Sequence, residues 1–264
     1  MSTIDEKINV KELPFVAPCK TLKLSAPFNW LRLGWEDIKK APRQSITYGA
    51  AIVILSCVVS FAVWLYGGIG LLVSLLSGFL FLGPVLALGL YSISCQIQAG
   101  MTPRLGYCLK EGKRHFGNEM VFAVILSVIF LVWARAATMT HILYPETANA
   151  VWTKFIPFYT VGTVEGIIFS AIIFCFSAFS LPMIMDRKVD VVTAIITSIN
   201  AVLRNKAVSL IWALIIALIV AIGFATAFLG FFILMPLVGH ATWHAYKETI
   251  ISDDWPHHTR IEEL

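Results

Sequence analysis

The 264-residue chain is 58% hydrophobic and only 14% charged, with a mean hydropathy of +0.80. A soluble domain of this length carries more charge and shorter apolar runs, so the composition excludes one. The formal net charge of +4 is not gathered into a basic tract with interleaved aromatics, which sets nucleic acid aside as a partner.

In chain order, residues 1–24 are a polar cytoplasmic segment without a secretory h-region, so the first span is expected to act as its own insertion signal. Residues 25–250 form an all-α membrane domain, and 251–264 a cytoplasmic tail. Apolar runs able to cross about 30 Å as helix fall at about 46–66, 69–92, 119–140, 161–183, 208–228 and 231–248. Tight connections at Tyr66-Gly67-Gly68 and around Gly230 fold spans one and two, and five and six, into hairpins. A longer connection, about 141–160, joins spans three and four. Its Tyr144, Trp152 and Tyr159, with Trp133 and His141, read as an outer interfacial belt.

Eighteen of the twenty Lys and Arg residues fall on one side of these six spans, leaving only Arg135 and Lys154 on the other. The positive-inside rule therefore places both termini in the cytoplasm of a bacterium, with the chain in its inner membrane. Three short segments on that side have helical periodicity: Phe28, Leu31, Trp35 and Ile38; Leu105, Cys108, Leu109 and Phe116; and Val192, Ile195, Ile196, Ile199 and Val202. They predict interfacial helices lying flat on the inner leaflet. The even-numbered spans each carry a proline, Pro84, Pro182 and Pro236. Interfacial helix, span and return span would thus recur as a parallel threefold repeat, at about 28–95, 104–186 and 190–250. The five cysteines, Cys19, Cys57, Cys95, Cys108 and Cys175, are scattered, as packing residues or free thiols would be.

Few residues could carry chemistry. Ala213, Ala217, Ala221 and Ala225 recur every four residues down span five, a spacing that lets a neighbouring helix approach closely. Arg135 and Glu165, near the outer ends of adjacent spans, could form an intramembrane ion pair or each snorkel to the headgroups. Counted from a span starting near Phe231, His240 lies about 14 Å deep, and His244 lies one turn nearer the cytoplasm on the same face. Such a pair could hold a transition metal or offer an axial haem ligand, or it could simply hydrogen-bond a neighbouring helix. No acid or cysteine at matching depth stands out as a third ligand, and no glutamate completes an H-E-x-x-H motif. The turn Asp186-Arg187-Lys188-Val189-Asp190 is expected to be solvated, as are His257 and His258. No phosphate loop, nucleophile elbow or paired catalytic carboxylates occur, so no enzymatic activity is expected.

Four runs stand out: Ser25-Ala26-Pro27-Phe28-Asn29-Trp30-Leu31-Arg32-Leu33-Gly34-Trp35, Gly83-Pro84 with Ala87-Leu88-Gly89-Leu90-Tyr91, Ser180-Leu181-Pro182-Met183 with Asp186, and Pro236-Leu237-Val238-Gly239-His240-Ala241-Thr242-Trp243-His244-Ala245-Tyr246. Together they resemble a family of uncharacterised proteobacterial integral membrane proteins. The resemblance implies a membrane protein of unknown function and supplies no catalytic residues; some members carry a cytochrome c oxidase subunit label. A haem–copper catalytic subunit needs histidines spread over several spans, whereas only His240 and His244 fall within one in this chain. The leading expectation is a non-catalytic accessory or scaffold component of a membrane complex, for example a respiratory one, whose partners are lipid and other membrane subunits. The alternatives are a metal- or haem-binding protein using the histidine pair, and a small transporter or channel.

Overall fold

The structure, a computed structural model, describes residues 14–67, 87–143 and 152–257. Its helices, in chain order, are α1 (Ala26–Lys40), α2 (Pro42–Tyr66), α3 (Leu88–Gln98), α4 (Leu105–Leu143), α5 (Trp152–Ser177), α6 (Ser180–Asp186), α7 (Val191–Arg204), α8 (Lys206–Ala225) and α9 (Phe231–Thr249). Pro84, most of expected span two and the loop around Tyr144 lie outside the described residues.

Four of the described helical stretches are long and apolar enough to cross a membrane: Pro42–Leu65, Met120–Thr140, Ile156–Asp186 and Lys206–Ala225. Many of their large apolar side chains face outward, as in Ile54, Val58, Phe61 and Leu65 on α2 and Leu210, Leu214, Leu218 and Ile222 on α8, whereas the end of Ile156–Asp186, α6, is buried. With lipid as the outer solvent, such a surface is the stable one, because helical backbone satisfies its own polar groups.

Helix α9 differs. It is too polar to count with those four, and it is the middle of the bundle, packed against α1, α2, α3, α6 and α8. His240, Trp243 and Tyr246 on it are buried, with Ala241 and Ala245 among them. Close approach is what small residues permit: a Cβ built on Gly34 of α1 would lie 2.8 Å from the Ala241 amide nitrogen and 2.9 Å from the Leu237 carbonyl oxygen. On the neighbouring side, Gly49 of α2 crosses against the Phe232 backbone in the same way.

The helix expected on the leaflet at 28–38 thus has another role for half its surface. Trp30, Gly34, Asp37 and Ile38 of α1 are its buried face, against α9. Trp30 meets Trp212 of α8 edge to face, with ring centroids 5.5 Å apart, and its Nε1–H donates to Glu248. The second expected interfacial helix is not a separate element, because Leu105–Leu143 runs on as one helix of 39 residues. The third is α7, begun by Asp190, whose carboxylate accepts the Thr193 amide at 2.9 Å. It buries Val191, Ala194, Ile195, Thr197, Ser198, Ala201 and Val202.

Expected span four is broken at Ala178 and Phe179, between α5 and α6 and three residues before Pro182. Ser198 of α7 bridges the break: its hydroxyl accepts the Phe179 amide at 3.1 Å and donates to the Cys175 carbonyl at 2.8 Å. The backbone groups freed by the interruption are thereby satisfied. At the same end of the bundle the chain's first and last described segments pair. The Lys20 amide donates to the Thr249 carbonyl and the Ile251 amide to the Pro18 carbonyl, each at 2.9 Å.

Candidate functional site: a buried serine–histidine–aspartate chain

Five side chains from four helices form a continuous hydrogen-bonded chain. Ser45 of α2 lies 2.9 Å from His240 Nε2, and Ser94 of α3 lies 2.7 Å from His240 Nδ1. Ser94 Oγ is 2.8 Å from Asp37 Oδ2 of α1, and His244 Nε2 reaches the same oxygen at 2.8 Å. Asp37 is 3% exposed, and Ser45, Ser94 and His240 are fully buried.

The direction of each bond follows from the carboxylate, which only accepts. Ser94 has one proton and donates it to Asp37, so its oxygen accepts from His240 Nδ1–H. His240 Nε2 is then the bare nitrogen and accepts from the Ser45 hydroxyl. His244 donates Nε2–H to Asp37. Every polar hydrogen in the chain points toward one carboxylate, and no capacity of His240 is left over.

Asp37 lies on α1, outside the apolar spans. Burial by itself raises its carboxyl, yet hydrogen bonds from His244 and Ser94 outweigh that and hold it below the usual carboxylate range. A buried charge so supported ties α1, α3 and α9 together, and Ser45 adds α2.

The residues do not fit a haem or metal as they stand. Both ring nitrogens of His240 are engaged by serines, and His244 Nε2 is engaged by Asp37. Among the described residues, no group of three His, Cys, Asp or Glu side chains is arranged to hold a metal ion. The i, i+4 spacing put His240 and His244 on one face, and both do join one network. The partner of His240 on α2, Ser45, lies in the first turn of that helix. Asp37, Ser45 and Ser94 were not singled out. The spacing of Trp30, Gly34 and Asp37 on one face of α1 was the available signal for Asp37; nothing in sequence marks the serines.

The other expectations fare differently. Glu165 accepts from Thr140 Oγ1 at 2.7 Å, and no ion pair joins it to Arg135 among the described residues. Arg135 points outward instead. Among the described residues the alanine row on α8 is not the packed face: Ala213 is half-buried, and Ala217, Ala221 and Ala225 are exposed. The buried side of α8 is Val208, Ser209, Trp212, Ile219 and Gly223.

The turn at Asp186 is solvated only in part: Lys188 and Asp190 are exposed, whereas Asp186, Arg187 and Val189 are buried. Asp186 and Arg187 are 7% and 5% exposed. Asp186 accepts from Tyr246 Oη at 2.7 Å, Lys247 Nζ at 3.0 Å and Arg187 Nε at 3.2 Å. Arg187 also donates to the Trp255 carbonyl at 2.7 Å and lies 3.3 Å from Asp253. His257 is exposed, as expected, yet comes within 3.5 Å of Asp186, so this stretch of the expected tail is folded onto the bundle. His258 lies outside the described residues.

Several membrane-crossing helices with an apolar outer surface define an integral membrane protein. Residues 71–186 match the model of a family described as predicted integral membrane protein (DUF2189), a domain of unknown function. Ser94 and Asp186 fall inside the matched segment, whereas Asp37, Ser45, His240 and His244 lie outside it. No curated protein and no solved structure matches the chain.

Proposed function

We propose that this chain is a non-catalytic accessory or scaffold component of a larger membrane assembly. The observation that carries this reading is the closed polar interior. Ser45, His240, Ser94, Asp37 and His244 satisfy one another, which suits a lock between helices better than a site awaiting a substrate. The outward row Ala217, Ala221 and Ala225 supports it, since small residues on a lipid-facing surface suit contact with a helix of another subunit.

In this reading the chain crosses the bacterial inner membrane six times as three hairpins, with α9 the interior sixth helix and both termini cytoplasmic. The eighteen-to-two division of Lys and Arg supports that orientation. The test is purification from native membranes in a gentle detergent, with the co-purifying proteins identified and quantified. A stoichiometric partner set, lost when Ala217 and Ala221 are both replaced by Leu, is the expected result. Isolation of this chain alone under conditions that keep known membrane complexes whole would overturn the proposal.

A further inference from the structure

Among the described residues, helix α1 has a second face that is exposed. Phe28 and Trp35 are 62% and 43% exposed, while Arg32 and Lys39 are exposed beside them. At 100° per residue, Phe28, Arg32, Trp35 and Lys39 fall within one narrow stripe, opposite the Trp30, Gly34 and Asp37 face buried on α9. The stripe alternates aromatic and basic side chains. Glu36 lies 3.6 Å from Arg32, and Asn29 accepts from Arg32 at 2.8 Å.

Position adds to composition. A single residue, Ala41, separates α1 from α2, so α1 lies at the level where a membrane-crossing helix begins. Lys40 and Arg43 at that junction are exposed, as is Lys23 just before α1. Aromatic rings and basic side chains at this depth match the acyl boundary and anionic headgroups respectively.

We infer that the Phe28–Arg32–Trp35–Lys39 stripe is a binding surface for anionic phospholipid headgroups, with α1 held between α9 and the leaflet. The rings enter the boundary, and Arg32 and Lys39 meet the phosphates. The inference does not depend on the scaffold reading, because it concerns lipid and needs no second subunit.

The full chain in nanodiscs of phosphatidylcholine, with and without phosphatidylglycerol, provides the test. The difference in tryptophan fluorescence between the native chain and Trp35→Phe isolates Trp35. Quenching of that difference by lipids brominated near the headgroup, and not by aqueous iodide, is expected. Native mass spectrometry should show phosphatidylglycerol retained over phosphatidylcholine, with the preference falling about fivefold for each of Arg32→Gln and Lys39→Gln and weakening with salt. Quenching by iodide would overturn the inference, as would shielding of Trp35 from both quenchers, the signature of a protein covering the stripe. Unchanged phosphatidylglycerol retention in the doubly substituted chain would overturn it equally.

Discussion

His244 Nε2 lies 2.8 Å from Asp37 Oδ2, across 207 positions of sequence. The bond joins the helix that enters the bundle first to the one in its centre. Because Asp37 also accepts from Ser94, its carboxylate is the common end of the whole chain of side chains.

Removing that end should be costly. Asp37→Ala leaves His244 and Ser94 without their acceptor, and loss of one partner from a buried pair typically costs about 3–5 kcal/mol. Thermal unfolding in detergent of Asp37→Ala, His244→Ala and the double variant checks this. The double variant should be less destabilised than the sum of the singles; strict additivity would show that the pair contributes no coupling.

Acidity should release the same lock. The folded-state carboxyl of Asp37 is held below its ordinary value of 3.8, so its contribution is fully present above that value. It is lost as pH falls through the lower folded value, because protonation then favours the unfolded chain. Stability measured from pH 6 downward should therefore drop below about pH 4, and Asp37→Asn should flatten that region of the curve. An unchanged slope in Asp37→Asn would assign the acid sensitivity to another group.

A methyl group at Gly34 should be enough to push α1 and α9 apart. The added Cβ meets main-chain atoms of Ala241 and Leu237, which cannot rotate away. Overpacking of this kind costs about 1–3 kcal/mol, so Gly34→Ala should unfold at lower temperature than the native chain. Gly166→Ala, on α5 where nothing lies within 4 Å, is the control and should leave stability near the native level.

Arg187→Ala should free the segment 252–257 while leaving the helices in place. It removes the donors to the Trp255 carbonyl and Asp253. Faster amide exchange at Trp255 and earlier proteolytic cleavage there, with helical circular dichroism unchanged, are expected. Continued protection would mean that the Lys188 amide bond to Pro256 and burial of Trp255 are sufficient.

The apolar spans were legible because hydropathy over a long window reports lipid exposure directly; α2, the middle of α4 and α8 fall where that pattern puts them. The role of α1 was harder. Grouping Phe28, Leu31 and Trp35 with Ile38 as the apolar face of a helix on the leaflet mixed two sides of it, since Ile38 is buried while Phe28 and Trp35 face out. An amphipathic helix at a membrane has apolar groups on both its protein side and its lipid side, so hydrophobicity alone does not orient it. The alanine row on α8 is open in the same way: small size permits contact but does not say with what. In the site, the histidine pair was visible from i, i+4 spacing, whereas Asp37, Ser45 and Ser94 arrive from three separate helices. Only tertiary packing brings them together.

The central position of α9 has a consequence for biogenesis. The ribosome delivers α1, α2 and α3 long before α9, so Asp37, Ser45 and Ser94 emerge without the histidines that will satisfy them. Until α9 is made, the carboxylate of Asp37 lacks its bond from His244. Helix α9 works as a keystone, and a chain without it would retain the four apolar stretches while missing the element packed among α1, α2, α3, α6 and α8.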